Sequence, residues 1–469
     1  MHEPCHLYLL PIGGTATAAL AGLAHAAGLR VSGVDAALYP PTSEILASLG
    51  IAVREGFDPA AIPADVDRVV IGNALPRTNP EVEEVLRRGL PYTSQAAALG
   101  EYFCRTARTV VLAGTHGKTT TTALTAHLFV QCGLDPTVMI GGVPCGGLPW
   151  RLGASGWTVV EGDEYNTAFF DRGPKFLHYF PHLFVVGNVE FDHGDIYPDL
   201  DAIVAAFRAG VARTVELGGT VIANAGDAGA RRAVAGTADV VWYGEGDGVD
   251  LRATSFAHRN RRLVAQLAWR GQPLEVTVPL VGRHNLDNLM AACTCALLAG
   301  AEPALIARAA ATFSGVRRRL ELLGTAAGVS VVDDFAHHPT AARLTLAGAR
   351  QRFPGRRLVA MLEPRSLTAG RAQFAADWEE ALAVADVAVV AEVFHRRRLG
   401  ADEVLDRHAL VAALQRRGVQ AAAVPDETDP LAVVRTLLRP GDVVLCMSSG
   451  SFGGLPARLL AALSAEEVE

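Results

Sequence analysis

Residues 109–133 join an apolar β-type run (Thr109, Val110, Val111, Leu112) to a helical stretch through a loop of small residues. That loop reads Ala113-Gly114-Thr115-His116-Gly117-Lys118-Thr119-Thr120. A strand that feeds a helix in this way has to cross back over its sheet before pairing again, which points to parallel α/β layering. The same alternation recurs along the chain. Strands are expected at 6–10, 31–35, 158–161, 183–187, 220–224, 329–333, 358–363, 387–391 and 443–447, with Ala/Leu-rich helices between them. The chain has 469 residues, enough for about three domains of roughly 150 residues. Breaks are expected near 106/107 and 315/316.

The loop at 113–120 has the composition a phosphate cradle needs. Small residues let backbone N–H groups curl around an anion, and the following helix presents its positive end. Lys118 is placed to reach the β- and γ-phosphates of a nucleotide, and the Thr119 hydroxyl to meet Mg²⁺. Gly114, Thr115, His116, Gly117 and Thr120 complete the cradle. The eight-residue P-loop pattern is not met in full, because Leu112 stands at its first glycine. The abundance of arginine sharpens the reading: of 42 Lys and Arg residues, only Lys118 and Lys175 are lysines. A lysine kept in such a chain marks a place where a compact ammonium does what a planar guanidinium does not.

Two more strand ends carry polar clusters, 160–165 (Val-Glu-Gly-Asp-Glu-Tyr) and 187–193 (Gly-Asn-Val-Glu-Phe-Asp-His). Ligands in parallel sheets gather at carboxyl ends of strands. Thr119, Glu161 and His193 therefore form a candidate metal set, while Asp163, Glu164 and Asp192 suit either a direct role or a structural or supporting one, as loop acids. Asn285 and Asn288, three apart, share a helix face and present amides able to read an adenine edge or cap a helix. Arg319, in an Arg run at the expected second junction, can neutralise a triphosphate. In the acid pair Asp333-Asp334, Asp334 is the candidate ribose ligand. The first βα turn, Gly13-Gly14-Thr15, with Asp35 22 residues beyond Gly13, suits a phosphate and a ribose. Pro11 and Ala18 stand where a dinucleotide fingerprint has glycines, which makes a nicotinamide cofactor the weaker reading.

Charge and cysteine usage narrow the function class. The net charge is −7, with no basic arm or stripe for a nucleic acid. No apolar run approaches the roughly 18–20 residues that span a membrane. The seven cysteines form no CxxC pair, as expected of reduced thiols in a cytoplasmic protein. A monomer or weak homo-oligomer is expected.

In this order, the motifs resemble the Mur ligase family end to end. The likeness rests on Gly-Thr-His-Gly-Lys-Thr-Thr at 114–120 and Asp-Asp-Phe-Ala-His-His-Pro at 333–339. Further stretches carry it as well: Tyr39-Pro40-Pro41, Gly72-Asn73-Ala74, 140–144, 168–171, Lys175-Phe176, Glu190-Phe191-Asp192-His193, 362–366 and 452–454. The resemblance implies a Rossmann-like domain at 1–106 for a UDP-sugar, a P-loop ATPase-type domain at 107–315, and a Rossmann-like domain at 316–469 for an amino substrate. It also implies ATP and Mg²⁺, with UDP-N-acetylmuramate joined through an acyl phosphate to the cell-wall tripeptide L-alanyl-γ-D-glutamyl-meso-diaminopimelate. L-alanine is the alternative amine. His337 is then expected to deprotonate that amine or orient the acyl phosphate, and Arg365 to hold a peptide carboxylate. Some relatives use a carbamylated lysine after the metal-binding histidine; no lysine follows His193 here.

Overall fold

The first sheet of the computed structural model, which describes residues 5–40 and 42–466, contains β1 (His6–Leu10), β2 (Arg30–Asp35), β3 (Ala52–Glu55), β4 (Arg68–Ile71) and β5 (Tyr92–Ser94). Pro41, in the Tyr39-Pro40-Pro41 stretch, lies outside the described residues. The strands are all parallel, in the order β3-β2-β1-β4-β5. The chain reverses its direction of growth between β1 and β4. The loop after β1 therefore opens into a switch-point crevice, where such sheets bind ligands.

Ten strands build the second sheet: β6 (Arg108–Ala113), β7 (Thr137–Met139), β8 (Trp150–Arg151), β9 (Trp157–Gly162), and, after a separate hairpin of β10 (Asn166–Ala168) and β11 (Asp171–Pro174), β12 (Pro181–Val186), β13 (Thr220–Asn224), β14 (Val241–Gly244), β15 (Leu251–Arg259), β16 (Arg262–Trp269) and β17 (Gln272–Val278). The order is β17-β16-β15-β14-β13-β12-β6-β9-β7-β8. β6 lies inside this sheet between β12 and β9, parallel to both. Its residues 109–113 are all buried, the continuous apolar run typical of a parallel strand covered on both faces. Parallel layering alone does not describe β15–β17, which pair antiparallel. Two-residue turns at Asn260-Arg261 and Arg270-Gly271 connect them, and all four residues have positive φ, the geometry that matches strand twist.

The third sheet holds β18 (Glu321–Ala326), β19 (Val329–Asp334), β20 (Leu358–Leu362), β21 (Val387–Val390), β22 (Gln420–Ala423) and β23 (Val443–Met447), ordered β18-β19-β23-β20-β21-β22. Only the β18–β19 pair is antiparallel. The expected strands therefore form, with ends shifted by a residue or two. Among the described residues, no helix is long and apolar enough to cross a membrane.

The first and second sheets share an apolar cluster. It runs from Leu20 and Leu23 of helix Thr15–Ala26, through Ala98 and Leu99, to Phe176, Tyr179 and Phe184. At its edge the Trp150 indole lies against helix Thr15–Ala26 at Gly22, where a Cβ would overlap the ring. Only glycine gives the ring that space. Gly22→Ala overpacks this seat and is expected to cost about 1–3 kcal/mol. Chemical denaturation checks this; an unchanged midpoint would contradict the seating of Trp150.

Candidate active site

β6 delivers the loop at 113–117 to the N-terminus of helix Lys118–Gln131. Gly114 and Gly117 both take positive φ, and a Cβ at Gly117 would overlap the Asn288 side chain. The loop is held from below. Thr115 N–H donates to the Asn188 carbonyl (2.9 Å) and His116 N–H to Asn188 Oδ1 (2.7 Å). The Thr115 hydroxyl and the Glu190 backbone also bond each other. Among the described residues, no backbone N–H from Gly117 to Thr120 has an acceptor. Four free amides at a helix start form a cradle that fits a phosphate. Thr120 is buried beneath it.

The sharpest feature sits beside the cradle. Lys118 Nζ donates to both oxygens of Glu164 (2.8 and 2.7 Å), and His193 Nε2 donates to Glu164 Oε1 (3.0 Å). The Glu164 residue is 0% exposed. Burial disfavours the Lys118 charge, but Glu164 and Asp163 outweigh it and hold the ammonium above its usual pKa. Burial likewise opposes the His193 charge, yet Glu164 and Asp192 raise its pKa to about 9. The neighbouring Asp163 pairs with Lys175 (2.6 Å). Burial alone would raise its pKa; Lys175 and Lys118 instead hold it well below the carboxylate range. Lys175, which had no role from sequence, thus sits one ion pair from Lys118.

Thr119 Oγ1 donates to Glu161 Oε1 (3.1 Å). Gly141 N–H binds the other oxygen (2.9 Å), and a Cβ on Gly141 would stand 2.8 Å from it. Burial raises the Glu161 pKa against the opposing pull of Lys118. A hydroxyl and such a carboxylate fit a hard divalent cation. Of the expected metal set, the structure brings Thr119 and Glu161 into contact. His193 is hydrogen-bonded to Glu164, and its proton would have to leave before the ring could ligate a metal.

The third sheet closes on this cluster. Arg319 Nη2 approaches Thr119 Oγ1 (3.4 Å). His337 Nδ1 donates to the Phe335 carbonyl (2.9 Å). Burial lowers the His337 pKa to about 4, with Asp192 pulling the other way. The ring is therefore neutral at pH 7 with its lone pair on Nε2. Glu190 spans the seam, taking hydrogen bonds from His116 Nε2 (2.8 Å) and the Thr340 hydroxyl (2.7 Å). Burial opposes the charge of Glu190, but the His116 contact prevails and its pKa falls to about 2. Phe191 and Phe374 stack at 6.3 Å. Gly194 N–H donates to Thr368 Oγ1 (3.2 Å).

Several expected ligands are occupied elsewhere. Asn285 donates to the Val281 carbonyl (2.6 Å) and accepts from Asn288 (2.9 Å), whose own oxygen accepts from Thr121 (3.0 Å). The pair brackets the phosphate loop, and both buried side chains are held by internal bonds. Asp334 binds the N–H groups of Leu320 (2.6 Å) and Ala336 (2.7 Å) and is 3% exposed. Both of its carboxylate oxygens thus accept from backbone N–H groups. In the first sheet, Gly14 caps helix Thr15–Ala26, and Asp35 accepts from Gly13 N–H (2.7 Å) with one carboxylate oxygen and from Ala36 N–H (2.7 Å) with the other. Arg365 lies beyond β20, 3.5 Å from Glu363. The sequence reading gave Glu190 no part of its own and left Glu164 between a direct and a supporting role; the clue it held was that both acids lie in loops that follow strands.

Known proteins match along the whole chain. The profile of the Mur ligase family catalytic domain matches residues 6–106, that of the Mur ligase middle domain 158–296, and that of the Mur ligase glutamate ligase domain 318–450. The UDP-N-acetylmuramate–L-alanyl-γ-D-glutamyl-meso-2,6-diaminoheptandioate ligase of Escherichia coli is 38% identical, covering 98% of each chain. The UDP-N-acetylmuramate–L-alanine ligase of Roseiflexus sp. is 37% identical, over 95% of this chain and 96% of its own. A solved murein peptide ligase from Psychrobacter arcticus superposes with a TM-score of 0.74 at 30% identity, covering 98% of this chain and 99% of that one.

Replacing Lys118 by Ala removes the only ammonium at the loop and is expected to slow ATP turnover by about 100- to 1,000-fold or more. Glu164→Gln keeps the shape but loses the anion, and a fall of at least about 100-fold is expected there too. ADP release reads both. Wild-type rates in Glu164→Gln would make that carboxylate a bystander.

Proposed function

The chain belongs to the Mur ligase family, and from that premise we propose that it joins L-alanyl-γ-D-glutamyl-meso-diaminopimelate to UDP-N-acetylmuramate at the expense of ATP, in peptidoglycan recycling. Tripeptide ligases of this kind stand at 38% and 34% identity among its relatives, over nearly their full length. The observation that carries the reading is the buried Glu164 carboxylate. It sets an ammonium and an imidazole beside four unbonded loop amides.

A carboxylate and an amine in water do not condense unaided. The lactyl carboxylate of the sugar attacks the γ-phosphorus of ATP, ADP leaves, and an acyl phosphate forms. The peptide amine then attacks the acyl carbon, phosphate leaves, and the amide remains. Two anions meet in the first step, so cancelling charge is the main catalytic demand. Lys118 and the amides of residues 117–120 receive the phosphates, with Arg319 approaching from the third sheet. Thr119 and Glu161 are the residues that would hold Mg²⁺, which would supply positive charge to offset that of the phosphates. His337 presents its Nε2 lone pair for the proton that the amine sheds. The seam made by Glu190, Thr340, Phe191 and Phe374 brings the third domain over the cluster and keeps water from the acyl phosphate.

In this reading residues 1–106 bind the UDP-sugar at the Gly13-Gly14-Thr15 turn, 107–315 hold ATP, and 316–469 hold the peptide. The described cysteines are all free thiols, in keeping with a cytoplasmic reaction.

Incubation with UDP-N-acetylmuramate, ATP and either amine tests the proposal. Mass spectrometry is expected to find the tripeptide adduct with stoichiometric ADP. L-alanine as the better amine would overturn the assignment in favour of the alanine-adding reaction. ADP release indifferent to any amine would indicate a kinase.

A further inference from the structure

The seam between the second and third sheets gathers three metal-ligating side chains that are separate from the Thr119–Glu161 pair. His116 comes from the phosphate loop, Glu190 from the loop after β12, and His338 from the N-cap of helix Pro339–Arg352. One ligand atom from each lies within 4.8 Å of those of the other two. Among the described residues, no other three His, Cys, Asp or Glu side chains converge in this way. Glu190 Oε2 stands 2.8 Å from His116 Nε2 and 3.9 Å from His338 Nδ1, and the two imidazole rings are 4.9 Å apart. Ligand atoms around a tetrahedral Zn²⁺ stand about 3.3 Å from one another, given bonds of about 2.0–2.2 Å. The two spacings at Glu190 bracket that figure, so small side-chain rotations close the three groups on an ion.

These ligands are already oriented from outside. His338 Nε2–H donates to the Phe191 carbonyl (3.2 Å), which leaves the lone pair on Nδ1. That lone pair takes only a long bond from the Thr340 N–H (3.3 Å). The Thr340 hydroxyl donates to Glu190 Oε1 (2.7 Å), so Oε2 is the oxygen turned toward the two rings. Carbonyl and hydroxyl contacts of this kind hold metal ligands in place. The Glu190 side chain is 41% exposed, which gives water access to a fourth position. A metal would take the place of the His116 Nε2 proton, and that proton would pass to solvent. Two imidazoles with one carboxylate suit Zn²⁺, whereas Mg²⁺ demands oxygen ligands.

Two of the ligands belong to the second domain and one to the third, so all three meet only when the third domain is closed. An ion that binds one arrangement and not the other shifts the balance toward the arrangement it binds. We infer that His116, Glu190 and His338 form a Zn²⁺ site that clamps the third domain shut and slows turnover by delaying the opening that releases product. The binding stands apart from the ligase reading; the slowing of turnover rests on it.

The test titrates the full-length protein with Zn²⁺ in excess Mg²⁺. Calorimetry is expected to find a single Zn²⁺ per chain with a Kd on the order of 1–10 μM. His338→Asn keeps an acceptor at the helix N-cap, and Glu190→Gln keeps the shape of the side chain. Each is expected to weaken binding by about 100-fold or more, whereas Thr340→Val, which keeps all three ligands and loses only the outer hydroxyl, weakens it by about 10-fold. Melting without metal checks that each variant is folded. Cys5, Cys132 and Cys145 are partly exposed thiols and could compete for the ion. Co²⁺ in place of Zn²⁺ is therefore expected to show ligand-field bands without a thiolate charge-transfer band. Zn²⁺ at about ten times its Kd, enough to fill most sites, is expected to slow wild-type ADP release by roughly fivefold or more. The rates of His338→Asn and Glu190→Gln, whatever their metal-free values, are expected not to respond. No binding, wild-type affinity in both ligand variants, or a thiolate band with Co²⁺ overturns the site. Binding at the site with unslowed turnover overturns the clamp. Zn²⁺ bound as expected by a protein that ligates no tripeptide leaves the site standing and removes the ligase reading alone.

Discussion

A carboxylate with no access to solvent is stable as an anion only if cations meet it. Glu164 is such a group, and the cations that meet it are Lys118 and His193. One comes from the helix after β6, the other from the loop after β12, and Glu164 itself from the loop after β9. Three neighbouring strands of one sheet are thus tied together at a single point. The positions of the phosphate loop, of Asp163 with Lys175, and of the loop that meets the third sheet all follow from that tie. Arginine could have balanced the charge, but its planar fork spreads the donors apart. An ammonium keeps them on one atom, where a terminal phosphate can also meet them.

The same geometry explains why the first contacts across the seam are polar. Glu190 and Thr340 face each other from different sheets, and His338 Nε2 donates to the Phe191 carbonyl (3.2 Å) while its Nδ1 accepts from Thr340 N–H. These bonds are directional and few, backed by one aromatic stack. A seam of that kind holds a closed position without the large apolar burial that would make it permanent.

The sequence showed most plainly what is local. The strand, the glycine loop and the lysine of residues 109–120 are consecutive, so their chemistry can be read from spacing alone. The parallel strands were visible as apolar runs, and all three sheets contain them. The partners of buried polar groups were not visible, because they are settled by contacts tens or hundreds of residues apart. Sequence alone left Glu164 between a direct and a supporting role until His193, 29 residues away, was placed against it. Asn285, Asn288 and Asp334 have the right side chains for a nucleotide. Spacing did not show that these side chains also bond backbone groups and one another, as buried amides and carboxylates must. The hairpins of β15–β17 were missed for another reason: Asn260-Arg261 and Arg270-Gly271 are weaker turn signals than Asn-Gly or Asp-Gly.

The Trp150 seat on Gly22 has a mechanical meaning. Trp150 lies in β8, and Met139, its partner across the sheet, lies in β7. The strap between them carries Gly141, whose amide donates to Glu161, and Gly142, where a Cβ would overlap the Thr119 methyl. The first domain is therefore geared to the carboxylate beside Thr119 through a short lever of ten residues. A displacement of helix Thr15–Ala26 would thus reach Glu161 through Trp150 and this strap, although the helix itself does not touch that carboxylate.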